Sequence, residues 1–192
     1  MALTRRRELL VVLAPSRGPA AVCAEELVRD VLAELTGTPA ADHVFSRGCD
    51  QCGSSAHGKP ILQHPGLHTS RSYAGGAVAV AVSSAGPVGV DVEQVAAVCF
   101  PGFAAVALGP AERADSDAAR ARAWTRKEAV LKAQGTGLGI DPRTVDVTGS
   151  RLSGRPPVHV FDIPGGAGIA CAAAVLVDRR PRLRVQDRGL TG

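Results

Sequence analysis

Trp124-Thr-Arg-Lys-Glu-Ala-Val-Leu-Lys132, continued by Ala133 and then Gln134-Gly-Thr-Gly-Leu138, closes a segment rich in helix formers. Ala, Arg, Glu, Leu and Lys favour the helix and Gly135 supplies a C-terminal stop, so a helix is predicted from near Asp117 to Lys132. Trp124, Glu128 and Lys132 stand four residues apart and share one face of it. Lys127 lies beside Glu128, so cations flank that carboxylate on two sides. By itself the pattern also suits a solvated face with an ordinary Glu–Lys pair.

Gly89-Val-Asp-Val-Glu93, nearer the middle of the chain, alternates apolar and acidic residues with the period of a strand. Asp91 and Glu93 therefore point to one face, roughly 6–7 Å apart. Two carboxylates so placed repel unless a cation lies between them. Glu128 would complete an all-oxygen set for a hard divalent ion such as Mg²⁺, which keeps waters and takes phosphate oxygens as further ligands. An edge strand with a polar outer face would show the same residues.

The two motifs together, with about thirty residues between them, resemble the 4′-phosphopantetheinyl transferases, and specifically the Sfp type that activates polyketide and non-ribosomal peptide synthases. The resemblance spans roughly residues 58–147. It implies Mg²⁺ held by Asp91, Glu93 and Glu128, and coenzyme A as co-substrate. It also implies transfer of the 4′-phosphopantetheine arm to a serine of an apo acyl or peptidyl carrier protein, with release of 3′,5′-ADP. Asp91, Glu128 and Lys132 would be catalytic, Glu128 as metal ligand, as base for the serine proton, or as both. Lys59, Pro60, Ser70, Arg71, Ser72, Lys127 and Lys132 would hold the coenzyme. Where the family usually has Ser-His-Ser, with His on the 3′-phosphate, this chain has Ser70-Arg71-Ser72. Arg can grip a phosphate bidentately and stays charged; a surface Arg at a strand end is the alternative. Gly58-Lys-Pro60 stands where the family places a phosphate-side lysine, although such a tripeptide is also a common turn.

Composition agrees with this reading. The 192 residues suit one domain or two small fused halves, and a 45% hydrophobic content supports a core. Aromatics make up only 3%, so Ala, Val and Leu must fill that core. The net charge of +4 suits an anionic ligand or an acidic partner. Only three of the 22 cationic residues are Lys, at 59, 127 and 132, all inside the motifs. The longest apolar run, Leu9–Ala14, is too short to span a membrane, and Glu8 argues against a signal peptide after Arg5–Arg7, so a cytoplasmic protein with no membrane partner is expected; the fused halves that the resemblance implies make a monomer the expected state. A catalytically impaired homologue is the alternative within the family. A basic nucleic-acid module built on Arg5–Arg7, Arg47 and a zinc loop at Cys49/Cys52 with His43 or His57 is the alternative outside it. The scarcity of aromatic stacking residues argues against nucleic acid as a partner. A reduced Cys49/Cys52 loop is the other reading of that pair.

The predicted fold class is α+β, with two similar halves, each a helix plus a small antiparallel sheet; the resemblance implies that they are related by a pseudo-two-fold with the ligand cleft between them. The halves are expected at 1–88 and 89–186, with 187–192 a disordered tail. In the first half a strand is predicted over Glu8–Ala14, then a helix over Ala20–Leu35 with Val22, Leu27, Val31 and Leu35 on one side, and a long loop from Ser46 to Pro65. A meander of Gly66–Ser72, Ala77–Ser83 and Val88–Glu93 follows. In the second half a short helix is predicted within Pro101–Leu108, and strands at Val145–Val147, Pro157–Phe161 and Ile169–Val177.

Overall fold

The computed structural model describes residues 7–47 and 59–191. Among the described residues, ten strands and three α-helices form a mixed α+β fold in four layers, helix on sheet on sheet on helix. The alternation of side chains along each strand builds these layers.

In the first sheet, β1 (Glu8–Pro15) and β5 (Ala77–Ser83) pair antiparallel at its centre. Their alternate residues divide between two cores. Leu9, Val11, Leu13, Ala77, Ala79 and Ala81 face the second sheet, while Leu10, Val12, Val78, Val80 and Val82 face helix α1 (Ala20–Thr36). Ala on the inner face lets the sheets approach, and Val on the other fills the space under the helix. α1 contributes Ala24, Leu27, Val28, Val31, Leu32 and Leu35 at helical spacing and ends on Gly37, whose φ of 75° a residue with a Cβ would adopt only at a cost. Val22, expected on the buried side, is exposed.

The second sheet runs β6 (Val88–Gln94), β9 (Ile169–Leu176), β8 (Val158–Pro164) and β7 (Arg151–Leu152), all antiparallel. Val88, Val90, Val92, Phe161, Ile163, Cys171, Ala173 and Val175 meet the first sheet. Val158, Val160, Ala172 and Ala174 meet helix α3 (Asp117–Gln134), which Ser116 caps through its hydroxyl on the Ala119 N–H. A short helix, α2 (Phe103–Ala107), precedes it.

Four expectations are corrected. The three predicted strands do not form a meander: β4 (His68–Ala74) pairs with β5, but β6 leaves for the second sheet and pairs with β9. Alternation reveals that a stretch is a strand, not which edge it joins. The supposed loop from Ser46 contains a small hairpin, β2 (Phe45–Arg47) with β3 (Pro60–Leu62). Val145–Val147 forms no strand, while Arg151–Leu152, outside the predicted strands, does. The chain's last part does not end in the second unit: β10 (Arg182–Asp187) returns to lie parallel to β1, and Asp187 closes a turn onto the amides of Gly189, Leu190 and Thr191. The first sheet is therefore β10-β1-β5-β4 and not wholly antiparallel. The expected boundary between residues 88 and 89 falls just inside β6, and β10, placed in the second half by that division, pairs in the first sheet.

Cys49, Cys52, His57, Gly58, Arg5 and Arg6 lie outside the described residues, and the zinc-loop alternative falls with them there. Among the described residues no helix is long and apolar enough to cross a membrane.

Candidate active site

β4 and β6 are the facing edges of the two sheets, and side chains join them. Ser70 Oγ accepts the Val90 N–H at 3.1 Å, and Ser72 Oγ donates to Asp91 Oδ1 at 2.8 Å. β6 turns Gly89, Asp91 and Glu93 away from the inter-sheet core, toward α3. The helix lies very close there: a Cβ on Gly89 would stand 2.0 Å from the Ala129 carbonyl oxygen and 2.5 Å from the Ala133 nitrogen. Gly89 is in the motif because the helix backbone occupies the place of its side chain.

That approach brings Lys132 and Glu128 over Asp91. Lys132 Nζ donates to Asp91 Oδ1 at 2.6 Å and to Ser72 Oγ at 3.1 Å. Asp91 is 2% exposed, and its second oxygen, Oδ2, has no hydrogen-bond partner. Glu128 Oε1 is likewise buried and unpartnered. Burial pushes the Asp91 carboxyl above the usual carboxylate range, against the pull of Lys132 and Ser72. Burial also raises Glu128, with repulsion from Asp91 adding to it. Glu93 is raised by burial and then by Asp91, while Lys132 and a hydrogen bond from the Trp124 side chain oppose the rise.

Three carboxylates thus face one ammonium. Two buried, unpartnered carboxylate oxygens and a surplus of negative charge suit a hard divalent cation. The acids are not drawn into a finished ligand shell: among the described residues no three His, Cys, Asp or Glu side chains stand together at metal-binding geometry. Lys132 lies on Asp91 as the resident counter-ion.

Three residues expected to hold the coenzyme make their contacts within the chain. Lys127 is 0% exposed. Its ammonium is spent on Glu112 and the carbonyls of Pro142 and Val145, one residue round the helix from Glu128 and so on another face. Lys59 Nζ donates to the carbonyls of Val88 at 2.7 Å and Lys132 at 2.8 Å, and burial pulls it down to about 8. Arg71 stands opposite Val80 and so on the α1 face of the first sheet, the opposite face from Ser70 and Ser72, where it pairs with Glu25 at 2.8 Å. That carboxylate is held below its usual range first by Arg71. Pro60 opens β3 opposite Arg47.

One participant, Glu112, escaped the sequence reading, and so did one contact of Trp124. Glu112 is buried and accepts from Lys127 and from the amides of Gly109 and Val147, so it ties together the loops flanking α3. No spacing in Pro110-Ala-Glu-Arg113 announces this. Trp124 was placed on the face of Glu128 and Lys132, but its bond to Glu93 depends on how α3 crosses β6.

Residues 87–166 match the family profile of the 4′-phosphopantetheinyl transferase superfamily, a segment that contains both acidic motifs and Lys132. This supports that superfamily, and with it phosphopantetheine transfer in general, as the class to which the site is similar. No curated protein matches the chain.

Proposed function

We propose that this protein is an Sfp-type, Mg²⁺-dependent 4′-phosphopantetheinyl transferase that moves the phosphopantetheine arm of coenzyme A onto a serine of an apo acyl or peptidyl carrier protein. The observation that carries this reading is the pair of buried, unpartnered oxygens, Asp91 Oδ2 and Glu128 Oε1, beside Lys132 within the matched segment.

Asp91, Glu93 and Glu128 would hold the divalent ion, which when bound supplies positive charge to the pyrophosphate. Ser72 orients Asp91 by donating to Oδ1, and Trp124 orients Glu93. Glu128, with its raised pKa and free Oε1, accepts the proton of the attacking carrier serine. The serine oxygen forms its bond to the phosphorus bearing the pantetheine arm as the bond to 3′,5′-ADP breaks. Lys132 offers its ammonium to the negative charge that gathers on that leaving phosphate. The net charge of +4 favours encounter with an acidic carrier. Each four-stranded sheet carries one long helix, which supports two pseudo-symmetric halves in a single working chain.

Incubation with coenzyme A, Mg²⁺ and an apo carrier tests the proposal: the carrier should gain the mass of one phosphopantetheine group. A carrier of unchanged mass, with coenzyme A still bound, favours the impaired homologue, a reading supported by the internal engagement of Lys59, Lys127 and Arg71.

A further inference from the structure

We infer that Lys59 is a positioning residue that clamps the C-terminal end of α3 to the start of β6, and is not a phosphate ligand; this rests on the function proposed above. Its two acceptors belong to the two elements that carry the site. Val88 opens β6 three residues before Asp91, and Lys132 is the residue whose side chain lies on Asp91. Both carbonyls need a donor. β6 is an edge strand, so its outer backbone groups have no neighbouring strand, and Ser70 meets one of them as Lys59 meets another. Lys132 O belongs to the last turn of a helix, where carbonyls lack intrahelical donors and only the Gly135 amide, at 3.3 Å, adds to the ammonium.

Gly89 sits between these anchor points, where the helix backbone nearly touches the strand. A single side chain that bonds both elements keeps that approach closed. The charge of Lys59 is directed at the negative end of the α3 dipole rather than outward. Two of its three N–H groups are engaged, and an amine that has lost its charge still donates two hydrogen bonds. A clamp therefore survives neutralisation, whereas a phosphate contact of the usual kind does not.

The test compares wild type with Lys59→Met and Lys59→Gln in the whole chain. Amide exchange at residues 130–136 is read without ligand, coenzyme A affinity by calorimetry, and kcat and KM by carrier mass. In Lys59→Met, exchange at the end of α3 should quicken and kcat should fall about tenfold or more, with coenzyme A affinity changed less than about threefold. Lys59→Gln, an uncharged donor, should regain part of the protection and of kcat. If both variants lose about tenfold in coenzyme A affinity while exchange is unchanged, Lys59 is a phosphate ligand and the inference is wrong. Unchanged exchange in Lys59→Met overturns it whatever the affinity. The exchange arm needs neither coenzyme nor carrier, so a wild-type protein that transfers nothing sinks the proposed function and still leaves the clamp open to this reading.

Discussion

At Asp91 one carboxylate oxygen takes hydrogen bonds from Ser72 and Lys132 while the other takes none, and Glu128 repeats the imbalance with Oε1. Such groups oppose folding when charged. Asp91, Glu93 and Glu128 have pKa values raised in the folded state, so between their ordinary and raised values the native protein binds more protons than the unfolded chain. Stability of the metal-free protein should therefore fall as pH rises out of the ordinary carboxylate range and through the raised values. Mg²⁺ should offset that loss by binding the charged forms. Melting curves across this range with and without Mg²⁺ check both statements, and Asp91→Asn should lose most of the Mg²⁺ effect. Lys127 makes the opposite kind of case, a buried cation fully engaged with Glu112 and two carbonyls. Lys127→Met should cost about 3–5 kcal/mol, because Glu112 is left charged and unpaired in the interior. Glu112→Gln in the same chain should recover part of the loss, as urea denaturation would show. The two lysines of the helical motif read alike in sequence, yet their five-residue separation on a helix sends one to the site and the other to the core.

Helix α3 and its contact with β6 decide how the site assembles. Gly89→Ala should push the helix outward, since the added methyl would overlap the Ala129 carbonyl and Lys132 Cβ. Overpacking of this kind costs about 1–3 kcal/mol. The activity loss should exceed what that destabilisation explains, because Lys132 and Glu128 move away from Asp91 together. Transfer rates of the folded variant, set beside its denaturation curve, separate the two effects. The helix was legible in advance: Asp117 as its start and Gly135 as its stop agree with the observed span. The acidic strand was legible too, from alternation at Val90 and Val92. The pairing of β6 with β9 and the α1-side placement of Arg71 were not. Local periodicity carries no information on which distant edge a strand joins, and each side chain's face follows from that choice.

On the scale of the molecule, four layers depend on an Ala-rich interface between sheets that face each other through Ala77, Ala79, Ala81 and Ala173. β10 closes the first sheet by lying against β1 from Glu8↔Arg182 to Leu13↔Asp187. Truncation before Arg182 should uncover the β1 edge, lower the melting temperature and promote association of chains through that edge. Light scattering beside a thermal melt tests this, and an unchanged melt with a monomeric chain would show that β10 adds nothing to the sheet. The polar, Arg-rich character of this segment hid it from a reading based on hydrophobic pattern, because of its residues only Leu183 packs against the core between the sheets.

The same pairing bears on how the protein comes into being. The ribosome makes β1 long before β10, so the first strand emerges into solvent with one side of its backbone ladder vacant. Everything that the layers enclose, the second sheet and α3 included, is synthesised in that interval. The first sheet stays incomplete throughout that interval. Its final strand can dock only once residues 182–187 have left the exit tunnel, which makes the exposed β1 edge a natural point for a chaperone to guard.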